Sequence, residues 1–381
     1  MSSSGFLAGG RLQDSLPRYQ YTALQHPDSV RVLVLEPAMT RLLQLRASII
    51  QYRPEDEIGK VDGQRYIAVS YTWGKPEASR RLTCATRSGD CSLEISPVVE
   101  GLLHHFRDSY RPTYLWLDAI CLNQEDEAEK NQQIPRMGEI YQLASAVQIW
   151  LGEQDEDGHS GGFTVLRRFA ALQKPPKLSE QDINHLKRLL QNAWFYRRWI
   201  LQEAVLAQRA VFHHGHHTLE LSMFLKGWQC VGEQADQLGS KLIYGPNTLL
   251  NLIKDGTEDD TLLDMLWRLD GSDCFDPRDR FAALYGFLPA EKQIALDYHT
   301  IAWKDLYRRV AEHFLRKNDP ISLTIMSHLI HFGSLAENTG DPTVPSWVPD
   351  WRQHRSQDLP SRCVNVIWVS KESQPPVVIS N

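Results

Sequence analysis

The chain lacks several features that would place it in a specialised class of protein. Among its 381 residues there is no uninterrupted apolar run of about eighteen, the length that a membrane span needs. The N-terminal stretch has no basic segment followed by an apolar one, which argues against a secretory signal. The 6 cysteines show no CxxC spacing, so neither a zinc site nor a disulfide framework is predicted. We therefore expect a soluble, cytoplasmic protein with reduced thiols and no membrane partner.

An excess of basic charge is also missing. The chain carries 41 basic against 47 acidic residues, well mixed, for a net charge of -6, which gives no electrostatic footprint for nucleic acid. No Gly-rich phosphate loop of the Walker or Rossmann type is present, so P-loop phosphoryl transfer and hydride transfer are disfavoured. The chain does have 11 tryptophans, several beside polar residues, where an indole can cover a pocket and still donate a hydrogen bond.

The most informative segment covers residues 115–152. It begins with apolar LWLDAICL, continues with helical spacing and ends with strand-like AVQIWLG, a pattern that predicts a β-α-β unit. Polar residues just past the carboxyl end of a parallel strand line the crevice where ligands bind. Asp118, Asn123 and Gln124 are predicted to lie there.

The remaining patterns predict an α/β fold with a mainly parallel sheet and a large helical C-terminal extension. Strand-like runs SVRVLVLEP and YIAVSYTWG precede a helix that Ser96 and Pro97 are expected to start. Helical spacing dominates after the acidic loop EQDEDGHSGG. The predicted divisions are a flexible lead-in at 1–18, an α/β domain with helical additions at 19–222, a helical extension at 223–351 and a tail at 352–381.

Glu129 is the residue that this pattern places nearest the crevice. It shares one predicted helical face with Gln133 and Ile140, a face that begins polar and becomes apolar. The structural alternative is a first-turn glutamate favoured by the helix dipole. Pro135 is expected to break or kink this helix, so that Glu129 and Glu139 belong to differently directed pieces.

The run WFYRRWILQEAV places aromatic, cationic and carboxylate groups within two helical turns. An arginine there could receive a ligand phosphate or pair with a carboxylate of the α/β unit. A clamp that ties the helical part to the sheet is the alternative that composition alone favours. The candidates from this run are Trp194, Arg197 or Arg198, Trp199, Gln202 and Glu203.

Two other features are weaker candidates. HHGHH at 213–217 attracts attention as a metal site, but four histidines around a glycine at a hairpin tip more often form a solvated turn. Ser70 and Ser145 lack the sequence context of a nucleophile elbow. No metal site is predicted.

Five ordered motifs resemble the fungal heterokaryon incompatibility (HET) domain family. YIAVSYTWG is similar to its first motif, the segment at 115–152 to its second and WFYRRWILQEAVLA to its third. DPRDRFAALYGFLP and VPSWVPDW resemble segments that follow the domain, so the likeness covers about 19–351. The resemblance implies a flavodoxin-like sheet and a core like that of TIR domains. Some TIR domains cleave NAD with one glutamate. Pro135 lies inside the segment that is helical in the family, and a proline there departs from the family's sequence pattern.

The resemblance implies an effector of incompatibility and cell death that binds NAD as substrate, with no certain cofactor. Trp73 and Trp199 would cover the nicotinamide and Arg197 would meet the pyrophosphate. The candidate catalytic residues are Glu129 and Asp118, and the candidate ligand-binding residues are Tyr71, Trp73, Asn123, Gln124, Arg197, Trp199, Gln202 and Glu203.

Two alternatives stay open beside this hypothesis. One is a stand-alone enzyme of fungal secondary metabolism, which folds a terpenoid or polyketide in a tryptophan-walled pocket for isomerisation or cycloaddition. Its support is the aromatic content and the absence of a signalling module after the domain. The other is an adaptor that only forms homo-oligomers through its α/β face.

Overall fold

A computed structural model describes residues 16–53, 60–61, 64–74, 80–153, 160–172, 176–289, 292–294, 301–316 and 324–355. Most of the predicted lead-in and nearly all of the predicted tail lie outside these residues. The chain divides into two compact units. The first comprises Met1–Phe195 and Ile200–Ile253, and the second comprises Tyr196–Trp199 and Lys254–Asn381. The domain limits drawn from the sequence stay predictions.

A nine-stranded mixed sheet organises the first unit, in the order β11-β10-β9-β5-β8-β1-β2-β6-β7. A separate two-stranded hairpin consists of β3 and β4. The strands are β1 (Val30–Leu35), β2 (Arg46–Tyr52), β3 (Lys60–Val61), β4 (Gln64–Arg65), β5 (Ile67–Tyr71), β6 (Arg80–Thr86), β7 (Gly89–Ile95), β8 (Thr113–Trp116), β9 (Ala146–Trp150), β10 (Ala210–His214) and β11 (His217–Glu220).

The prediction of an α/β fold is confirmed, but parallel pairing is confined to part of the sheet. Strands β8, β5, β9 and β10 run parallel to one another, and β2 pairs in parallel with β6. Strand β1 is antiparallel to both β2 and β8, and hairpins form β6-β7 and β10-β11. A hairpin turn of a few residues can join only antiparallel strands, so the edges cannot share the parallel order of the centre. The sheet as a whole is therefore mixed.

Local sequence signals mark the ends of several helices. The helices of the first unit are α1 (Pro97–Phe106), α2 (Asp118–Cys121), α3 (Glu127–Gln133), α4 (Met137–Leu143), α5 (Ser160–Ala171), α6 (Glu180–Leu190), α7 (Ile200–Val205), α8 (Leu221–Val231) and α9 (Ser240–Asp255), the last of which ends at the boundary between the units. Ser96 caps α1 by accepting a hydrogen bond from the Val99 amide, and Pro97 occupies its first turn as predicted. The break expected at Pro135 is present, because the 3-10 turn Ile134–Arg136 separates α3 from α4.

The second unit is helical and has its own aromatic core. Its helices are α10 (Leu262–Arg268), α11 (Asp279–Ala282), α12 (Trp303–Arg316), α13 (Thr324–Phe332) and α14 (Leu335–Thr339). Trp351 packs edge-on against Phe281 and Tyr307, and its indole donates to His328 Nδ1 at 2.8 Å. Among the described residues, no helix has both the length and the apolar character of a membrane span.

Candidate functional site

A pocket of about 440 Å³ lies in the first unit. Four stretches of chain form its walls: residues 18–21, the end of β5 at 71–74, the β7-α1 connection at 93–99, and residues 119–125 after β8. Strands β5 and β8 are parallel neighbours, so their carboxyl ends meet at one edge of the sheet. Tyr71, Trp73, Asn123 and Gln124, four of the predicted ligand-binding residues, line this pocket.

Asp118 fixes the orientation of the Trp73 indole at the pocket. The indole Nε1 donates to Asp118 Oδ2 at 2.8 Å, while Asp118 Oδ1 accepts from the Ala119 amide at 2.8 Å. The backbone carbonyl of Asp118 accepts from Gln124 Nε2, also at 2.8 Å. Trp73 is 42% exposed, so its ring is held in place and still available for contact with a ligand.

Two tyrosines from the N-terminal segment complete the aromatic part of the wall. Tyr19 and Tyr21 meet edge to face with ring centroids 5.1 Å apart. The Tyr21 hydroxyl donates to the carbonyl of Ile120 at 2.9 Å, which ties the N-terminal segment to the loop after β8. Burial raises the pKa of Tyr21 well above the usual range, so its phenol stays neutral.

Glu129 forms a buried ion pair with Arg31 of β1. Arg31 Nη1 donates to Glu129 Oε1 at 2.5 Å and Nη2 donates to Oε2 at 2.8 Å. The same guanidinium donates to the carbonyls of Thr22 and Cys121, and it lies over the Tyr21 ring at 5.1 Å from the centroid. Two N–H groups of the guanidinium thus face the two oxygens of the carboxylate. This bidentate geometry gives the strongest charge-assisted hydrogen bonds.

The Glu129 carboxylate also holds the loop that forms one wall of the pocket. Its Oε1 accepts from the Asn123 amide at 2.8 Å, and its own amide donates to the N-cap residue Asp126 at 3.0 Å. Glu129 is only 6% exposed and is not among the pocket-lining residues. This geometry gives Glu129 a positioning role, and its catalytic role stays a prediction.

Glu203 belongs to a second buried polar cluster in the first unit. The Ser70 hydroxyl donates to Glu203 Oε2, and Ser70 Oγ accepts from the Trp194 indole at 2.7 Å. Ser70, Trp194 and Glu203 are each no more than 1% exposed, and Gln202 is buried beside them in α7. The cluster joins the first and third sequence motifs, and none of its members lines the pocket.

Arg197 and Trp199 belong to the second unit, in its short stretch Tyr196–Trp199. Between them, Arg198 is fully buried and donates to the carbonyls of Leu269 and Arg280 and to the hydroxyl of Ser272. Arg198 thus holds elements within the second unit together, and the expected clamp between the helical part and the sheet stays a prediction. The ligand contacts expected of Arg197 and Trp199 stay predictions.

The histidine run forms the β10-β11 hairpin, whose turn contains Gly215 at φ 53°. His213 Nδ1 lies 3.0 Å from His105 Nε2 of α1, and its other nitrogen contacts Gln148 of β9. Burial lowers the pKa of both histidines to about 4. Within the described residues, no group of three or more His, Cys, Asp or Glu side chains could hold a metal ion.

Sequence reasoning overlooked Arg31 and the two N-terminal tyrosines. Arg31 carried a signal that could have been used, because it is a charged residue inside the otherwise apolar strand VRVLVL. An arginine at such a position is buried and needs an acidic partner. Tyr19 and Tyr21 precede the first strand in a weakly patterned stretch, and nothing in their spacing pointed to the pocket.

Comparison with known proteins gives two matches. Residues 66–203 match the model of the family described as heterokaryon incompatibility protein (HET). The chain is also 22% identical over 362 residues to heterokaryon incompatibility protein 6, OR allele, of Neurospora crassa. That alignment covers 75% of this chain and 53% of the relative, so the chain spans about half the length of the curated relative it matches. No solved structure matches the chain.

Proposed function

The chain belongs to the heterokaryon incompatibility family through the HET domain at residues 66–203, and on that premise we propose that it is an incompatibility effector that binds a nucleotide in its pocket. The observation that carries the proposal is the hydrogen bond between Trp73 and Asp118. It holds an exposed aromatic face at the carboxyl ends of two parallel strands, where α/β folds bind ligands. NAD is the nucleotide that we propose, and the proposal includes a core that resembles that of TIR domains.

The chemistry of the pocket walls suits the parts of such a ligand. The Trp73 ring offers a stacking surface for a nicotinamide or adenine, and the neutral phenols add apolar edges. The side-chain amides of Asn123 and Gln124 and the Asp118 carboxylate supply hydrogen-bond partners for ribose hydroxyls. Arg18 at the pocket offers a guanidinium for a phosphate, although it already pairs with Glu125 at 2.6 Å.

In the proposed reaction, water cleaves the bond between nicotinamide and ribose, and the products are nicotinamide and ADP-ribose. The transition state develops positive charge on the ribose, which a nearby carboxylate stabilises. Asp118 is half-buried beside the pocket and is the better placed of the two predicted carboxylates. Glu129 acts by holding the loop at 119–125 that carries the amide groups.

Binding and turnover must be measured separately to test this proposal. NAD binding to the full chain is followed by calorimetry, and nicotinamide release by chromatography. Asp118→Asn is expected to abolish release while leaving the urea unfolding midpoint close to that of the wild type. Glu139→Gln, which alters an exposed glutamate paired with Arg136, is the matched control and should keep both activities. Binding without release would reduce the proposal to a nucleotide-binding module, and absence of both would refute it.

The biosynthetic alternative is favoured by one observation, the scarcity of cationic side chains among the described residues of the pocket. Of those described lining residues, Arg18 is the only lysine or arginine, whereas Leu93, Ile95, Val99 and Ile120 add apolar surface. A polycyclic terpenoid or polyketide would bury that surface without needing a phosphate partner. Calorimetry with such a compound in parallel with NAD distinguishes the two, because each hypothesis predicts binding of one ligand class.

Self-association belongs to the same proposal, because an effector that responds to non-self recognition would be switched by assembly. Light scattering of the full chain with and without NAD measures it. A mass that stays that of one chain at all concentrations would remove this part of the proposal and leave ligand binding intact.

A further inference from the structure

Cys84 and Cys91 face each other across the β6-β7 hairpin. They are direct partners in the antiparallel register of these strands, and both are free thiols. Side chains of directly opposed residues project from the same face of a sheet. Opposed Cα atoms lie about 4.5 to 5.5 Å apart, within the range of about 4.4 to 6.8 Å that disulfides span. The hairpin therefore places two thiols where a cross-strand bond can form.

We propose that Cys84 and Cys91 form a reversible redox switch, oxidised by exchange with a low-molecular-weight disulfide such as oxidised glutathione. This inference is independent of the ligand proposed for the pocket. Cys91 is half-buried and Cys84 is fully buried, so Cys91 is the thiol that the oxidant reaches first.

The exchange proceeds in two balanced steps. The Cys91 thiolate attacks one sulfur of oxidised glutathione, forms a mixed disulfide and releases one glutathione thiolate. Cys84 then attacks the Cys91 sulfur, which forms the protein disulfide and expels the second glutathione, and the proton of Cys84 passes to that departing glutathione thiolate. Two protein thiols are thereby oxidised while one glutathione disulfide is reduced to two glutathione molecules. Excess reduced glutathione reverses both steps.

The hairpin is connected to the pocket through Ser92 and Tyr19. Ser92, next to Cys91, receives the N-terminal segment as a short parallel bridge: its amide donates to Pro17 O at 2.8 Å and its carbonyl accepts from the Tyr19 amide at 2.9 Å. Tyr19 lines the pocket. Burial is the main cause that raises the pKa of Tyr19, and Cys84 and Cys91 add to the shift.

Formation of the bond would shift this wall of the pocket. Opposed Cβ atoms in a sheet are about 4.5 to 5.5 Å apart, whereas a disulfide brings them to about 3.8 Å. The strands must approach each other at this position, and β7 carries both the Ser92 bridge and the lining residues Leu93 and Ile95. The thiol state of the hairpin therefore controls the position of the Tyr19 ring.

Tryptic mapping of the oxidised full chain tests the bond. Trypsin cleaves after Arg81, Arg87 and Arg107, so Cys84 and Cys91 leave in separate peptides, 82–87 and 88–107. After equilibration in a glutathione series and alkylation, we expect these peptides to appear joined at oxidising ratios and separately alkylated at reducing ratios. Cys91→Ser should abolish the joined species, whereas Cys230→Ser, at a half-buried thiol of α8, should keep it.

Hydrogen exchange of the same samples tests the connection to the pocket. Oxidation of the wild type is expected to change amide exchange at residues 18–21 and 92–96 several-fold, and the same treatment of Cys91→Ser is expected to change neither. The proposal is overturned if Cys91 stops at the glutathione adduct, if either cysteine pairs elsewhere, or if the bond forms without a change at residues 18–21. Should Cys91→Ser fail to fold, peptide mapping and exchange of the wild type still decide.

Discussion

Arg31 donates hydrogen bonds to both carboxylate oxygens of Glu129, at 2.5 and 2.8 Å, and the two side chains are buried, at only 2% and 5% exposed. The pair links strand β1 to helix α3 and, through the Asn123 amide, to the pocket loop. A substitution at Glu129 therefore disturbs the loop that forms the pocket wall, whether or not Glu129 takes part in chemistry. Loss of activity alone cannot identify Glu129 as catalytic.

The first prediction is that Glu129→Gln destabilises the first unit by about 3 to 5 kcal/mol, because the variant leaves the Arg31 charge buried without its counterion. The double variant Arg31→Met with Glu129→Leu should recover most of that loss, since it removes both charges together. Urea midpoints followed by circular dichroism measure both.

The control for this prediction is Glu125→Gln. Its partner Arg18 lies at 2.6 Å, but the two side chains are 64% and 74% exposed, so the variant should cost much less stability than Glu129→Gln. Equal losses in the buried and the exposed pair would show that desolvation does not dominate at Glu129.

The sequence predicted those parts of the structure that depend on local pattern. Asp118, Asn123 and Gln124 follow a short apolar strand, and the break at Pro135 needed only the missing amide of proline. The antiparallel position of β1 depends instead on pairing between distant segments, which alternation cannot reveal. Likewise, the partner of Glu129 lies 98 residues away in the chain. Such a pairing is set by the tertiary fold and leaves no local trace except a charge in an apolar strand.

A second prediction compares two helical glycines. A Cβ at Gly227 of α8 would lie 2.3 Å from the carbonyl oxygen of Leu166, a backbone atom that cannot move alone. Gly227→Ala should therefore destabilise by about 1 to 3 kcal/mol. At Gly101 of α1 the obstacle is the end of the Glu153 side chain at 2.9 Å, which can rotate away.

Gly101→Ala is accordingly expected to be stabilising by up to about 1 kcal/mol, because alanine favours the helix more than glycine does. Thermal unfolding of the two variants side by side measures the difference in sign. A loss at Gly101 as large as that at Gly227 would mean that Glu153 is as rigid as the Leu166 backbone.

The third prediction concerns acid stability. Burial lowers the pKa of His105 and His213 to about 4, and the nearby cations Arg41, His216 and Arg209 add to the effect. As the pH falls, the two histidines take up protons near pH 6.5 in the unfolded chain and only near pH 4 in the folded protein. The free energy of unfolding is therefore highest above about pH 6.5 and decreases as the pH falls toward 4.

His213→Gln should flatten this dependence, so that the unfolding free energy differs less between about pH 7 and pH 5 than in the wild type. His217→Gln, at an exposed position of the same hairpin, should leave the dependence unchanged. Burial lowers the pKa of His328 in the second unit to about 3. His328 therefore contributes equally to the pH dependence of the wild type and of both variants. An unaltered pH dependence in His213→Gln would rule out the pair as its source.

The last prediction concerns Ser70, whose hydroxyl accepts from Trp194 at 2.7 Å and donates to Glu203 within the core. Ser70→Ala removes both interactions and should cost about 1 to 3 kcal/mol, since the groups that bonded to it stay buried. Ser145→Ala, which removes the hydroxyl of an exposed serine that donates to Tyr66 O at 3.0 Å, is the control and should cost less.

Trp194→Phe combined with Ser70→Ala shows whether the three groups act as one unit. If they do, the double variant should lose about 0.5 to 3 kcal/mol less than the two single losses combined, because either change alone already breaks the chain of hydrogen bonds. Additive losses would mean that each contact acts alone. Because Ser70 is fully buried, loss of function in Ser70→Ala accompanied by this loss of stability reflects a weakened core and does not identify Ser70 as a nucleophile.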